Sequence, residues 1–174
     1  MHNEEITICP ASILQLELFK KIGSQTFYET FVDTNTKQDM QEYLDKNFST
    51  IKLTQELNNP DSSFYLAKSN DIVIGYLKIN WAQSQTESNN ENALEIERIY
   101  VLKKYFGKQA GKLLYEQALQ IAQNKNMDYI WLGVWEHNPR AIRFYEKNGF
   151  VIFDKHIFTV GTDDQTDLLM KLKL

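Results

Sequence analysis

The sequence predicts a single domain of mixed α/β class, and three observations lead to that prediction. The chain has 174 residues, enough for one domain with a full core and too few for two. Hydrophobic residues make up 43% and charged residues 24%, which is typical of a globular protein and not of a disordered one. Residues 94–134 show a strand, a helix and a strand in succession, which predicts a parallel strand–helix–strand unit.

The N-terminal third is predicted to be one strand followed by helices. Apolar residues recur at helical spacing at Ile13, Leu16 and Ile22. The predicted elements are a strand at 6–9 stopped by Pro10, a helix opened by Ser12, an aromatic segment at 26–31 without a clear period, a helix opened by Thr36 with Asp39 three residues on, and a helix over 50–57.

The remainder of the chain is predicted to alternate between strands and helices. Asn138 and Pro139 are typical of a helix start, and Gly149 of the position just past a helix end. The predicted elements are strands at 64–68 and 72–80 around a turn at 69–71, an exposed polar loop at 83–92, a strand at 94–101, a helix at 109–124, a strand at 129–134, a helix from 138 to 148, and strands at 150–153 and 168–172 with a turn at 161–164. The count is about seven strands.

Composition excludes several classes of function. Lys and Arg total 19 against 23 for Asp and Glu, so no basic surface for a nucleic acid is expected. No apolar run reaches the ~18 residues of a membrane span, and residues 1–5 lack the features of a signal peptide. The only cysteine, Cys9, fits a reducing compartment and is expected to be a small buried residue. We therefore expect a cytoplasmic protein, without a metal site because His137 and His156 lack ligand-spaced partners.

A glycine-bearing turn joins the strand at 94–101 to the start of the next helix. Free backbone amides and the positive end of the helix dipole meet there, which suits a phosphate group. The spacing of Gly107 and Gly111 is neither that of a Walker A loop nor that of the dinucleotide-binding fingerprint. Taken alone, glycine in such a turn is equally compatible with plain turn geometry.

The segment 138–150 carries the most specific pattern in the chain. Its residues match the motif N-x-x-A-x-x-F-Y-x-x-x-G-F at Asn138, Ala141, Phe144, Tyr145, Gly149 and Phe150. In this segment the chain resembles the GNAT superfamily of N-acetyltransferases. The acyl-CoA loop departs from the family pattern, since Phe106, Gln109 and Gly111 stand where the family has Gln or Arg, then Gly, then Gly or Ala. Residues 94–100, 130–136 and 165–168 are similar to bacterial PaiA-type polyamine N-acetyltransferases.

The resemblance implies a fold, a reaction and a cosubstrate. The fold is a single N-acetyltransferase domain over 1–174, a mixed and mostly antiparallel sheet with a central parallel pair and flanking helices. The reaction is acetyl transfer from acetyl-CoA to a primary amine of spermidine or spermine, by direct attack in a ternary complex. Two alternatives stay open: another amine, such as a protein N-terminus, an amino acid or an antibiotic, or a CoA-binding regulatory protein with little catalysis. A homodimer is compatible with either.

The resemblance also implies which residues bind the cosubstrate. The backbone of Ile99, Tyr100 and Val101 would pair with the pantetheine arm, and Asn138 would reach the same arm while capping its helix. The diphosphate would bind the amides of the turn, with added charge from the two lysines and ordinary helical geometry at Gln109; these residues are Phe106, Gly107, Lys108, Gln109, Ala110, Gly111 and Lys112.

Two residues are predicted to move protons. An alkylamine titrates near ~10.4 and must lose a proton to become a nucleophile. Glu97 is the predicted base, Glu95 is the alternative, and an ion pair of Glu97 with Arg98 or Arg143 is the structural interpretation of the same residue. The resemblance at 138–150 implies that Tyr145 is the acid for the departing thiolate, and seven residues place it on the same helix face as Asn138.

The acceptor site is expected to hold anionic and aromatic side chains. A polyamine carries several ammonium groups, which carboxylates attract and aromatic rings stabilise through cation–π contacts. The predicted acceptor residues are Tyr28, Glu29, Asp33 and Trp135.

Overall fold

A seven-stranded sheet organises the molecule, for which we use a computed structural model that describes residues 5–87 and 91–174. Residues 1–4, used above for the leader-segment prediction, and residues 88–90 of the predicted loop lie outside the described residues. The strands are β1 Ile6–Ala11, β2 Ser62–Ser69, β3 Ile72–Asn80, β4 Ala93–Val101, β5 Tyr129–Trp135, β6 Val151–Val160 and β7 Asp163–Lys173. Their order across the sheet is β1-β2-β3-β4-β5-β7-β6.

Only the β4–β5 pair of this sheet is parallel among the described strands, and the other neighbours are antiparallel. The helix α4 connects β4 to β5, which confirms the predicted parallel unit. Within the described residues the α-helices are α1 Leu16–Phe31, α2 Lys37–Asn47, α3 Thr50–Leu57, α4 Ala110–Asn124 and α5 Pro139–Lys147. The predicted mixed fold class is therefore confirmed.

Local capping signals correctly located most helix starts. Thr36 accepts a hydrogen bond from the amide of Asp39, and Asn138 accepts one from the amide of Ala141. Ser12 forms a capping box, which opens a short 3-10 turn at Ile13–Gln15 before α1 begins. Gly149 has φ +90° just past α5, as predicted.

Four local predictions were wrong. Pro10 does not stop β1, because an edge strand needs hydrogen bonds on one side only. Residues 26–31 continue α1, since Phe27 and Phe31 are buried beneath it. The last two strands are longer than predicted, because the exposed edge strand β6 carries polar residues that hid its pattern. The loop at 83–92 is not wholly exposed, since buried Gln85 accepts a hydrogen bond from Trp131 Nε1 at 2.8 Å.

Helices cover both faces of the sheet and bury a large hydrophobic core on each face. One core lies beneath α4 and α5 and includes Leu114, Ile130 and Tyr145. The other lies beneath α1, α2 and α3 and is rich in aromatic rings, Phe27 and Phe31 among them. Cys9, predicted to be buried, is half-buried on β1. None of the helices in the described ranges is long and apolar enough to cross a membrane.

Candidate active site

The parallel strands β4 and β5 part halfway along their length. They pair only from Ala93 to Ile96 on β4 and from Tyr129 to Leu132 on β5. Beyond those residues β4 keeps its partner β3, and β5 keeps its partner β7. The sheet therefore opens into a cleft between the C-terminal halves of its two central strands.

The register of the two outer ladders shows which backbone groups face this cleft. Leu102 N–H donates a hydrogen bond to Ile74 O of β3. Because the backbone groups of an antiparallel strand alternate between its two sides, those of Tyr100 also face β3. The N–H and C=O groups of Ile99 and Val101 therefore face the cleft. On the other wall Glu136 N–H donates to Thr166 O, so the backbone groups of Gly133 and Trp135 face the cleft. Of the three strand residues predicted to bind an extended ligand, two present the necessary backbone groups.

The cleft encloses about 300 Å³ and reaches both faces of the sheet. On one face it is lined by aromatic rings of α1 and α2, and on the other by Asn138, Ala141 and Tyr145 of α5. Tyr76 lines it too, and its buried hydroxyl has no hydrogen-bond partner in the part of the chain described. A buried hydroxyl without a partner is costly, so a ligand in the cleft would satisfy it.

A β-bulge lies where the strands part. Lys78 is opposite Arg98 and Ile79 is opposite Ile96, which leaves Glu97 as the extra residue on β4. Glu95 and Glu97 share one amide beside this bulge, because Asn80 Nδ2 donates to Glu95 Oε2 at 3.1 Å and to Glu97 Oε2 at 2.6 Å.

Glu97 is an ion-paired carboxylate. It pairs with Lys78 Nζ and, at 3.2 Å, with Arg98 Nη2, and both cations also contact Glu56. Burial acts to raise the pKa of Glu97, but the charges of Arg98 and Lys78 outweigh it and hold that pKa below its usual value. An ion-paired group with a lowered pKa is a weak proton acceptor, which favours the structural interpretation over the predicted base role.

Glu95 is buried, and its oxygens accept hydrogen bonds. The amide of Thr86 donates to Glu95 Oε2 at 2.8 Å, and the hydroxyl of Thr86 donates to Oε1. Burial raises the pKa of Glu95, and these hydrogen bonds oppose the shift. Glu95 therefore holds the segment before β4 against the sheet and retains an elevated proton affinity.

Tyr145 and Asn138 line the cleft together, as the spacing on α5 predicted. The ring of Tyr145 packs against Phe144 and Phe150, with centroids 5.3 and 5.4 Å away. Burial raises the pKa of Tyr145 above its usual value, so the phenol stays protonated at neutral pH and is available as a hydrogen donor.

The turn at 106–112 presents the start of α4 without a capping side chain. Gln109 is the N-cap and makes no side-chain capping bond, so the geometry of a helix start leaves the amides of Ala110, Gly111 and Lys112 without helical acceptors. The predicted helical geometry at Gln109 is wrong, because its φ is +69° in the left-handed region. This residue adopts the backbone conformation for which the family pattern has glycine.

The structure does not bring three of the four predicted acceptor residues to the cleft. Tyr28 is 45% exposed on the outer side of α1, and Asp33 is exposed. Glu29 accepts a hydrogen bond from the amide of Lys103 at 2.9 Å and so supports the turn after β4. Trp135 lines the cleft, with its Nε1 donating to Gln165 Oε1 at 2.6 Å.

The sequence reasoning missed the polar groups that β6, β7 and the segment before β4 contribute. Asp167, His156 and Glu87 line the cleft, and His156 Nδ1 lies 2.7 Å from Glu87 Oε1. They join aromatic rings from α1, α2 and β6, including Phe31, Tyr43 and Phe158. Among the residues that the structure describes, no group of three or more His, Cys, Asp or Glu side chains is placed to hold a metal ion.

Comparisons with known proteins agree with this geometry. Residues 24–150 match the family model described as the acetyltransferase (GNAT) family. An uncharacterized N-acetyltransferase of Lactobacillus delbrueckii subsp. lactis is 39% identical over 169 residues, 97% of this chain and 98% of the relative. A spermidine N(1)-acetyltransferase of Thermoplasma acidophilum is 25% identical over 97% of both chains. The crystal structure of the PaiA N-acetyltransferase of Thermoplasma acidophilum, in complex with coenzyme A, matches with a TM-score of 0.79 at 24% identity, over 98% of this chain and 99% of that one.

Proposed function

The chain belongs to the GNAT family of acetyltransferases, and on that premise we propose that it transfers the acetyl group of acetyl-CoA to a primary amine of a polyamine such as spermidine or spermine. The cleft carries this proposal, because it combines carboxylates with aromatic walls at the place where two strands part. The spermidine N(1)-acetyltransferase of Thermoplasma acidophilum supports the choice of amine as a distant relative.

The residues present fit acetyl-CoA, which supplies an activated acetyl thioester. The open amides at the start of α4 suit its diphosphate, and the exposed Phe106 ring is stacked by Arg140 at 3.6 Å beside them. The cleft-facing backbone of Ile99 and Val101 suits the peptide-like pantetheine arm. The space beside Gly111 is open to a ligand, because a methyl group added there would meet no atom nearer than Val101 Cγ2 at 4.0 Å.

Tyr145 is the proposed proton donor to the departing sulfur, and Asn138 the proposed contact to the pantetheine arm. Both side chains line the cleft, and the phenol of Tyr145, which is protonated at neutral pH at its ordinary pKa near ~10, stays protonated because burial raises that pKa further. A backbone amide of the cleft-facing edge of β4 can stabilise the oxygen on which negative charge develops, which is worth about 3 kcal/mol for one preorganised donor.

A cationic acceptor fits the other half of the cleft. Rings from four elements surround it, with the ring centroids of Phe31 and Trp135 5.5 Å apart and those of Tyr43 and Phe158 5.7 Å apart. Aromatic faces stabilise ammonium groups, and the aromatic core at this end excludes water that would compete for them. The neutral pairing of Glu56 and Glu97 with Lys78 and Arg98 leaves the other carboxylates of the cleft to attract a cation.

A panel of amines tests the proposal directly. The purified chain is incubated with acetyl-CoA and spermidine, spermine, lysine, a streptothricin-type antibiotic or a peptide with a free N-terminus, and released thiol is measured. We expect the highest kcat/KM for spermidine or spermine. A clear preference for another amine would replace the polyamine, and tight acetyl-CoA binding without turnover of any amine would favour the regulatory alternative.

Three further expectations from the sequence belong with this proposal. A single N-acetyltransferase domain over 1–174 is supported by one sheet whose strands run from Ile6 to Lys173. A homodimer is supported by the edge strand β6, which exposes Val151, Ile152, Phe153 and Ile157. Light scattering of the purified chain, which distinguishes one copy from two, tests the dimer. The cytoplasmic location stays a prediction from the sequence.

A further inference from the structure

We infer that Asp167 is the residue that binds the ammonium group of the acceptor and accepts its proton. This inference rests on the proposed function and names the group that performs its first chemical step. Neither the motif of α5 nor the carboxylates of β4 point to Asp167, which lies on β7 at the far wall of the cleft.

The position of Asp167 follows from strand pairing. Asp167 is opposite Trp135 on β5 and opposite His156 on β6. A methyl group added to Gly133 would lie 3.4 Å from Asp167 Oδ2, so this carboxylate lies over the face of β5 at Gly133, and both residues line the cleft. The glycine at 133 leaves the space that the carboxylate occupies, next to the backbone that would flank an incoming acyl group.

Among the described residues, Asp167 differs from the other acids that line the cleft, because its carboxylate has no hydrogen-bond or ion-pair partner. Glu97 is paired with two cations, Glu95 accepts three hydrogen bonds, and Glu87 pairs with His156. Within residues 5–87 and 91–174, no donor forms a hydrogen bond or ion pair with the carboxylate of Asp167. A partly buried carboxylate without a donor is a site that a cationic ligand would satisfy.

Asp167 faces titratable and aromatic groups from neighbouring elements of the described chain. They are His156 on β6, Tyr43 on α2 and Tyr100 on β4, while β5 and α1 contribute Trp135 and Phe31. Burial raises the pKa of Asp167 to about 6, and the charge of His156 opposes this rise. Burial raises the pKa of Tyr43 to about 12 and that of Tyr100 well above its usual value, so both phenols stay neutral.

The proton transfer balances with these groups alone. The ammonium ion of the acceptor donates an N–H hydrogen bond to an oxygen of Asp167, with its charge also facing the aromatic rings. The N–H bond then breaks, an O–H bond forms on the carboxyl, and the electron pair stays on nitrogen for attack on the acyl carbon. A carboxylate with a raised proton affinity is a stronger base than an ordinary aspartate, and the neutral acid afterwards loses its proton to water.

The test compares the wild type with Asp167→Asn, and uses Asp164→Asn as a matched control. Asp164 lies on the same strand, is exposed, and accepts a hydrogen bond from Thr159 outside the cleft. For Asp167→Asn we expect kcat/KM for spermidine to fall by ~10²-fold or more, with the KM for acetyl-CoA within about twofold of the wild type. The control is expected to match the wild type in both constants.

Two further readouts separate a chemical role from a structural one. The wild-type kcat/KM should fall on the acid side with an inflection near pH 6, and that limb should be absent in Asp167→Asn while Asp167→Glu retains one. Calorimetric titration with spermidine alone should show weaker binding to Asp167→Asn. Thermal unfolding of each variant confirms that it is folded.

The outcomes distinguish this inference from the proposed function. Turnover of spermidine by the wild type with unchanged constants, pH profile and spermidine binding in Asp167→Asn would overturn the inference and leave the proposed function standing. If the wild type prefers a different amine, the wild type and the variants are compared with that amine. Unchanged kinetic constants for Asp167→Asn would again overturn the inference. Absence of turnover on every amine would overturn both.

Discussion

Tyr145 shows how far a single side chain can be interpreted from a motif. Its place on α5 and its cleft-facing position agree with the spacing from Asn138. We expect Tyr145→Phe to lower kcat by ~10²-fold while the dissociation constant of acetyl-CoA stays nearly the same, because only the donated proton is removed. Turnover assays and calorimetric titration measure the two quantities.

Tyr115→Phe is the matched control for this change. Tyr115 packs in the same aromatic cluster, with its ring 5.6 Å from that of Phe144, but does not line the cleft. It should leave kcat unchanged. Equal turnover of Tyr145→Phe and the wild type would remove Tyr145 from the role of proton donor.

Glu97 is expected to contribute more to the stability of the fold than to the rate of the reaction. Glu97→Gln leaves buried Lys78 and Arg98 with Glu56 as their remaining charged partner, so the free energy of unfolding at pH 7 should fall by about 3 kcal/mol. The pKa of Glu97 is lowered in the folded state, so its contribution is present above the usual pKa of glutamate and is lost as the pH falls through the lowered value. Urea unfolding at neutral and acidic pH measures both effects.

Glu116→Gln provides the comparison for Glu97→Gln. It removes an exposed ion pair with Lys112 at 3.5 Å and should cost less than about 0.5 kcal/mol. Unchanged stability of Glu97→Gln, together with a rate that no longer depends on pH, would restore Glu97 as the base.

The charged carboxylate of Asp167 is expected to lower the stability of the folded protein, because the fold raises its proton affinity. The folded protein raises its pKa from 3.8 to about 6, so the charged form is disfavoured and stability falls as the pH rises between these values. Asp167→Asn should therefore raise the melting temperature at pH 8 and leave it unchanged or lower at pH 3.5. Thermal unfolding at both pH values measures this, with Asp164→Asn as the control; a lower melting temperature at pH 8 would contradict it.

Sequence reasoning identified the site residues that a local pattern defines and missed those that distant pairing creates. Asn138 and Tyr145 lie within one motif on one helix, so their joint position follows from helix periodicity. Asp167 reaches the cleft only because β7 inserts between β5 and β6, which no short spacing reveals. The roles of Glu95 and Glu97 depended on a bulge that changes which side chains share a face.

At the scale of elements, the start of α4 combines an open anion site with a strained residue. A left-handed backbone conformation costs a residue other than glycine about 1–2 kcal/mol. We therefore expect Gln109→Gly to raise the free energy of unfolding by about 1 kcal/mol, whereas Gln120→Gly in the exposed interior of α4 should lower it by about 1 kcal/mol. Chemical unfolding measures the change in the free energy of unfolding for each variant, and a decrease in both would contradict the strain at Gln109.

Element bounds were predicted best where an end signal stands in the sequence. The bounds of α3 and β3 agree with prediction, because Ser49 caps one and the turn at Asn70 and Asp71 fixes the other. The left-handed Gln109 could not be predicted, since glutamine has no preference for that region and the surrounding turn imposes it.

At the scale of the molecule, two blocks of sheet meet through a short parallel contact. Strands β1–β4 and strands β5–β7 share only the four-residue pairing of β4 with β5. A ligand that binds along both walls of the cleft should therefore stabilise the whole fold. At 100 times its dissociation constant, acetyl-CoA should add about 2.7 kcal/mol, or roughly 5–10 °C in melting temperature.

S-acetylpantetheine, which lacks the diphosphate, is the comparison ligand for this measurement. Its shift should be much smaller at the same concentration, because the amides at the start of α4 have nothing to bind. Equal shifts from the two compounds would show that the amides of α4 contribute little to affinity.

The cleft between β4 and β5 has a kinetic consequence, since residues from both faces of the sheet line it. Acetyl-CoA and the amine can therefore bind to opposite halves of the cleft at the same time, and no product has to leave before the second reactant binds. Initial velocities measured at varied concentrations of both reactants should give intersecting lines in a double-reciprocal plot. Parallel lines would indicate instead that the acetyl group is first transferred to the protein as a covalent acyl-enzyme intermediate.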